Sequence, residues 1–550
     1  MTVKKPYIPG KTTPMMPAYH LAELTRPFAA SEEQFGKLTG LLQSTDAVVM
    51  EHSELEKRIQ KEGTELMRRL LQDHLNLRAC TERDCRDTQT ITGADGVERG
   101  HRRQGTERGL MTVFGPVRVL RAGYSAGATS SLYPLDAELN LPADSFSHGV
   151  RERVARQAAH NSFEATVAEV SATTGAQVAK RQVEGLAHEA ARDFDELYRV
   201  RHKAAAQVPA SGSVLVVSVD GKGICMRPEG LRDATRRKAQ KRRSEPTPPC
   251  VSLKRNRRHA KRMATVAAVY TIEPYQRSAE QVARNLAGVA IDADQRDKRP
   301  KPEKKRIWAS LTSEPAEVIR DAFAEASART KAGSKRWVAL VDGNQTQLGA
   351  LKEQARMHGI SLTIVLDLLH VLGYLWKAAR ILGGPSNHDA FAWIQPRVLA
   401  ILHGNCSDVA AGLRRSATRR QLKAAKRKPV DDCAGYLLKY REYLRYDEYL
   451  AAGLPIATGV IEGACRHLIQ DRMDITGARW ALDGAEAILR LRALWASGDF
   501  DDYWRFHLEQ ERHLNHTMLY ANDPPTTRPV SAVSSPSPPR TRVPHLHLVS

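Results

Sequence analysis

The chain has 550 residues, 42% of them hydrophobic, enough for roughly two to four domains around a large core. Lys and Arg number 83 against 62 Asp and Glu, a net charge of +21 that favours a polyanionic partner. No run of about 18 uncharged apolar residues occurs, the first residues lack the apolar stretch of a secretory leader, and the seven cysteines are scattered; a membrane span is not expected and a reducing, cytoplasmic location is.

In chain order, residues 1–30 are Pro-rich and read as a flexible N-terminus. A helical and β-rich region is expected over 31–130. Leu38, Leu41, Leu42, then Leu55, Ile59, Leu66, Leu70 and Leu71 recur at helical spacing. Thr88–Thr92 and Gly109–Arg121 alternate as strands do, with turns at Ala94-Asp95-Gly96 and Gly115-Pro116. Cys80 and Cys85 form the only close cysteine pair, and two further ligands are missing nearby, so no zinc site is expected there.

Residues 131–205 predict a helical DNA-binding domain. One helix covers Phe163–Val170, Thr173-Thr174-Gly175 breaks it, and a second runs from Gln177 to about Tyr198. Two helices about a Gly-containing turn suit a helix-turn-helix, with Gln177, Lys180, Arg181 and Gln182 placed to meet DNA. An ordinary helical hairpin is the alternative.

Three apolar runs then each end in aspartate: Val214–Asp220, Trp337–Asp342 and Leu362–Asp367. Near-continuous runs of Val, Ile and Leu predict strands buried on both faces of a sheet. Aspartates gathered at one sheet edge repel each other and raise each other's pKa unless a cation joins them. A hard divalent cation with oxygen ligands is the usual answer, and that is the chemistry of metal-dependent phosphoryl transfer. A lone carboxylate, Glu462, sits at a helix start in TGVIEGAC. Thr458-Gly459 would cap this helix, and Ile461, Cys465 and Leu468 would mark its buried side.

Around these runs, Met263–Ile272 predicts a strand, and Ser278 with Gln281 a capping box that opens a helix. Residues 236–262 and 292–306 are rich in Arg and Lys and read as exposed charged loops. After Asp367 the pattern is helical for about 90 residues and includes the acid-free segment Arg414–Lys428. The expectation is an α/β core over 211–370, an all-helical insertion over 371–457, and a return to the core over 458–510 with Glu462. Residues 523–550 are rich in Pro, Ser and Thr and are expected to be disordered.

The motifs VVSVDGKGICMRPEGLR, KRMATVAAVYTIEPYQRSAEQV, LVDGNQ, DLLHVLGYLW, YLAAGLPIATGVIEGACRHLIQDRMDITGARW and AEAILRLRAL together resemble the ISKra-type insertion-sequence transposases. These are bacterial DDE enzymes related to the Mutator-like group. The resemblance runs from roughly Tyr133 to His507. It implies an RNase-H-like mixed-sheet core and a catalytic, metal-holding triad of Asp220, Asp342 and Glu462, with two Mg²⁺ ions for which Mn²⁺ may substitute. Asp367 and His370 match the family's Asp-x-x-His element, and an orienting role beside the site is expected of them. Lys222 is expected to touch DNA phosphate, and Arg466 to pair with Glu462 or a phosphate. Asp471 and Asp474 are rival third ligands. Relatives carry paired cysteines after a tyrosine like Tyr124; here YSAGATSSLYPLD has none.

The implied partners are double-stranded DNA, as terminal inverted repeats and as target, and further copies of the chain joined on it. Arg414, Arg415, Arg419 and Arg420 are expected to grip phosphates. Trp480, in GARW, is expected in the core, with stacking on an extruded base as the alternative. An RNase-H-like nuclease or resolvase, and a domesticated non-catalytic DNA-binding protein, are the rival functions.

Overall fold

The computed structural model describes residues 26–84, 90–204, 213–243, 260–288, 299–330, 335–384, 386–475 and 477–525. Most of the N-terminal and C-terminal expectations, and most of the loop expectation over 236–262, therefore lie outside the described residues. The chain forms two compact units. One comprises residues 1–151, 169–178 and 508–550; the other comprises 152–168 and 179–507.

In the first unit, helices α1 (Ala29–Leu42) and α2 (His52–Asp84) pack together, and α2 lies on a long hairpin. Two short strands, β1 (Ile91–Thr92) and β2 (Glu98–Arg99), pair first. The hairpin is β3 (His101–Thr112) and β4 (Gly115–Ser125). Gly115 closes its turn at φ +118°, a backbone angle that favours glycine. Leu75, Leu110, Val117, Val119, Leu135 and Leu141 make the core. The buried Asp73 carboxylate accepts from the Ser31 amide at 3.0 Å and from its hydroxyl, joining α1 to α2.

The expected helix break after Val170 is present. Helix α3 is Phe163–Thr173, and α4 is Lys180–Ala190. The expected second helix is divided, however: α4 ends before a turn at 191–193, and α5 follows over Phe194–Ala204. Asp193 in that turn is held by His507 at 2.6 Å, and its amide donates to the Tyr503 hydroxyl at 3.3 Å. This buried tie outweighs the local tendency to continue the helix.

The second unit is built on a mixed sheet of five strands: β5 (Val214–Cys225), β6 (Lys261–Ile272), β7 (Glu303–Ser310), β8 (Arg336–Val341) and β9 (Leu362–Leu366). Their order is β7-β6-β5-β8-β9. β5, β6 and β7 pair antiparallel; β5 with β8 and β8 with β9 pair parallel. Val214–Val219 are all buried, as their unbroken apolar run predicts. β7 corrects the reading of 292–306 as a charged loop that extends past residue 302. Its first three residues are exposed and its last five are buried, so charge sits on the open edge of the sheet, where it discourages edge-to-edge pairing.

Helix α6 (Pro315–Ala328) packs on β5 and β6, and α7 (Gln345–Met357) follows β8. The helical pattern expected after Asp367 is present as α8 (Leu368–Leu382), α9 (Asn387–Leu402), α10 (Cys406–Arg419) and α11 (Ala424–Lys439), followed by shorter turns. Glu462 lies on α12 (Gly459–Ala464), and α13 (Leu482–Ser497) packs on β7. The capping box at Ser278 and Gln281 has both of its bonds, at 3.1 and 2.8 Å. Among the described residues, no helix is long and apolar enough to cross a membrane.

Candidate active site

Strand register places the aspartates. Partners across β5 and β8 differ by 122 in number, as Val214 and Arg336 do; Asp220 and Asp342 differ by the same 122. Partners across β8 and β9 differ by 25, as Trp337 and Leu362 do; Asp342 and Asp367 differ by the same 25. Extended past its last pairs, the register puts all three aspartates in one row: Asp342 and Asp367 directly follow the C-terminal ends of β8 and β9, and Asp220 lies midway along the longer β5. Strands about 4.8 Å apart place such a row within mutual electrostatic reach.

The three differ in what their oxygens already hold. Asp220 Oδ1 accepts from the Gly221 amide at 2.6 Å, and its Oδ2 accepts from Cys465 Sγ at 3.3 Å. Asp342 Oδ1 accepts from the Asn344 amide at 2.8 Å. Its carbonyl accepts from the Tyr436 hydroxyl at 2.8 Å, and the Gly343 carbonyl accepts from the Tyr440 hydroxyl. Gly343 sits at φ +94°, and a Cβ there would stand 3.1 Å from the Tyr440 ring, so the turn after Asp342 requires glycine.

Asp367 is wholly buried. It caps α8, accepting from the Leu369 and His370 amides at 3.2 and 3.3 Å. It also takes His370 Nδ1 at 3.0 Å and the Thr458 amide, at the start of α12, at 3.0 Å. These four contacts occupy the carboxylate and make it a brace between β9, His370 and the Glu462 helix. Thr458 is the first residue of that helix cap, but its side chain makes no capping bond; Asp367 supplies the anchor across 91 residues instead.

Beyond α12 the helix continues through a π turn, Cys465–Gln470. Such turns widen a helix and are frequent at functional sites. Arg492, 8% exposed, donates to carbonyls inside it: Nε to Leu468 O at 2.9 Å and Nη2 to His467 O, while Nη1 reaches Ala159 O. Ile461, Cys465 and Leu468 form the buried side of this helix, as its sequence pattern predicts.

Electrostatics tie Glu462 to the row. Burial, then the charges of Asp367 and Asp220, push its carboxyl above the ordinary glutamate value, while His370 and Lys222 act against them. The side chain still meets solvent, so the neighbouring charges are the part of this balance that substitution can alter. His370 is raised above the ordinary imidazole value, chiefly by its bond to Asp367, with burial opposing and the charges of Asp342 and Asp220 assisting. Asp220, Asp342, Asp367, His370, Lys222 and Glu462 thus belong to one charge cluster.

Other expected residues lie elsewhere. Arg466 is paired with Asp471 at 3.7 Å rather than with Glu462. Asp471 also takes His467 at 3.0 Å, and Asp474 stands 4.0 Å from Lys261, so both rival ligands are engaged away from the row. Lys180 is paired with Glu164. Gln182 Oε1 accepts from the Ala179 amide at 2.9 Å, and Arg181 is exposed on α4. Arg414, Arg415, Arg419 and Arg420 are exposed at the end of α10 and the turn beyond it. The acid-free segment also reaches the core, since Ala417 within it and Leu413 just before it are buried. Likewise the helix Asp233–Arg243 takes in residues 236–243 of the expected basic loop.

Asp220, Asp342 and Glu462 supply oxygen donors, the class a hard divalent cation takes. Among the described residues, no group of three or more His, Cys, Asp or Glu side chains is already arranged to hold a metal ion. Sequence reasoning missed Cys465, Arg492, Tyr436 and Tyr440 as supports of the site. The small apolar look of Cys465 and the distance of the others along the chain gave no signal. No protein-family profile matches the chain, and neither does any curated protein.

Proposed function

We propose that the protein is a DDE transposase of the ISKra type. It would cleave DNA strands at the ends of an insertion sequence and join the freed ends to target DNA. One observation carries the reading: Asp220 and Asp342 share a row across adjacent parallel strands, and Glu462, on a distant helix, is brought into the charge field of Asp220 and Asp367. The strand order supports an RNase-H-like core, since Asp220 lies on the first strand of the sheet in chain order and Asp342 follows the fourth. The motif resemblance and the net charge of +21 point the same way.

Asp220, Asp342 and Glu462 would hold the Mg²⁺ ions, or Mn²⁺ in their place. When bound, the ions supply Lewis acidity at the scissile phosphate and a water of lowered pKa. The chain's own residues do the rest. The backbone ladder fixes two carboxylates, and Asp367 sets the start of the Glu462 helix. Lys222, on β5 beside Asp220, brings positive charge to a phosphate entering the row. The exposed arginines at 414, 415, 419 and 420 offer sequence-independent phosphate contacts.

The test is strand cleavage in Mg²⁺ by Asp220→Asn, Asp342→Asn and Glu462→Gln, assayed on inverted-repeat DNA and on unrelated duplex. Each variant is expected to lose about a thousandfold or more in rate while keeping DNA binding. Wild-type rates in any of them would remove that residue from the site. Equal cleavage of both DNAs by the unaltered protein would favour a nuclease, and cleavage of neither a DNA-binding protein without catalysis.

A further inference from the structure

A second feature of the same unit has the chemistry of a ligand site. A cleft of about 500 Å³ is lined by Phe163, Trp480, Lys180, Arg227, Arg472 and Arg479. It is fixed to the end of β5: Met226 bridges Trp480, the Arg227 amide donates to Trp480 O at 2.8 Å, and the Trp480 amide donates to Cys225 O at 3.1 Å. Six residues of strand, about 20 Å, separate this point from Asp220, so the cleft is not the acidic row.

Its wall is aromatic. Phe163 meets Trp480 edge to face at 5.9 Å; Trp480 is 6% exposed, in the core as expected, and its Nε1 is tied to Met473 O at 3.1 Å. Against both rings lies Arg472, its guanidinium 4.8 Å from the Trp480 centroid and 5.2 Å from Phe163. Arg472 is 3% exposed, its Nε donates to Ala158 O at 3.3 Å, and its buried Nη2 has no hydrogen-bond partner among the described residues. Burial and the nearby Arg492 lower it to about 10. A buried guanidinium without a counter-ion is costly, and the most direct relief is an anion arriving with a ligand. Arg227 and Arg479 are exposed beside it. Two carboxylates also line the cleft, Glu164 and Glu184. Glu164 is paired with Lys180.

We propose that this cleft binds one nucleotide of a single DNA strand, with its phosphate on Arg227, Arg472 and Arg479 and its base against the Phe163–Trp480 wall. The combination of cations for the backbone and an aromatic surface for the base is the general means of holding single strands. The idea rests on DNA as the substrate but not on the cleavage chemistry.

The test uses the full chain in EDTA, so no cleavage enters it. The probe is an oligothymidylate carrying one 5-iododeoxyuridine, photo-cross-linked and mapped by mass spectrometry. Adducts are expected on Trp480 or Phe163. The double variant Arg227→Ala, Arg479→Ala alters exposed side chains only, so its melting temperature should stay that of the parent. It should bind the oligothymidylate about tenfold more weakly and blunt duplex unchanged. Adducts confined to other segments, or an unchanged affinity, would overturn the proposal. An equal loss on duplex would reduce the cleft to a general phosphate contact, and displacement by inorganic phosphate alone to a simple anion site; either overturns it as well. Cleavage by Asp220→Asn at the parent rate would sink the transposase reading and leave these measurements untouched.

Discussion

The two sides of the acidic site are held by different means. Asp220 stands on β5 and Asp342 directly follows β8, strands whose residues are largely buried and bonded along continuous ladders. Glu462 stands on a six-residue helix that runs into a π turn, and side chains set its place: Asp367 at the Thr458 amide, Cys465 at Asp220, and Arg492 at the turn's carbonyls. A ladder shares its load over many backbone bonds, so one side chain matters little to it. A helix braced at three points is sensitive to each. The glutamate side should therefore be the half that mutations displace first and that ligands adjust.

The largest effect is expected at Asp367, which serves both halves. Asp367→Ala removes the α8 cap, the His370 bond and the Thr458 anchor together, and leaves buried amides unsatisfied. A loss of about 3 kcal/mol in urea unfolding is expected, with cleavage falling as far as in Glu462→Gln. Asp367→Asn keeps an acceptor and should lose about half as much stability. An Asp367→Ala protein as stable as the parent would mean that α12 is anchored by something else.

Arg492 tests the helical half alone. Arg492→Met preserves bulk but leaves the carbonyls of His467 and Leu468 without their donor, at a cost of about 2 kcal/mol. Amide hydrogen exchange should then quicken about thirtyfold over 462–470, while Val214–Val219 stay as protected as before. Equal quickening in both segments would erase the distinction between a ladder-held and a side-chain-held half.

This difference in construction also decides what the sequence reveals. The aspartate row is legible because each strand is a local apolar run ending in its own carboxylate, and the spacing of 122 between Asp220 and Asp342 is the strand register itself. Glu462 is legible from its helix start and from the apolar spacing of Ile461, Cys465 and Leu468. The braces are not, because Asp367 and Thr458, or Leu468 and Arg492, become neighbours only through the packed unit. β7 escapes for a local reason: its first residues are charged and exposed, so half the strand resembles the loop before it. The turn at 191–193 escapes because His507 and Tyr503, far along the chain, hold it.

His370 probes the charge that links the halves. Its folded pKa is raised above the usual 6.5, so its pairing with Asp367 stabilises the fold fully below pH 6.5 and ceases to do so as pH rises through the folded value. The stability difference between the parent and His370→Gln should therefore be greatest in acid and vanish above that value. Losing this positive charge also leaves Glu462 facing Asp367 and Asp220 with less compensation, so its carboxyl should rise further and the acid limb of the cleavage–pH profile should move to higher pH. A limb that stays in place would show that Glu462 does not govern it.

The smallest effect is expected at Cys465, where the helix touches the strands directly. Its thiol is 4% exposed and donates to Asp220 Oδ2, and burial first, then the Asp220 charge, raise it far above the ordinary thiol value. Iodoacetamide should leave it unmodified in the native protein at pH 8, since the thiolate is the nucleophile. Cys465→Val keeps the apolar volume and removes only a weak donor, so stability should change by less than about 1 kcal/mol. Asp220 would retain its own strand and the Gly221 amide, and cleavage should fall only a few-fold. If Cys465→Val instead abolished cleavage as thoroughly as Glu462→Gln, the strand-borne carboxylates would depend on the helix after all, and the two halves would have to be treated as one interlocked support.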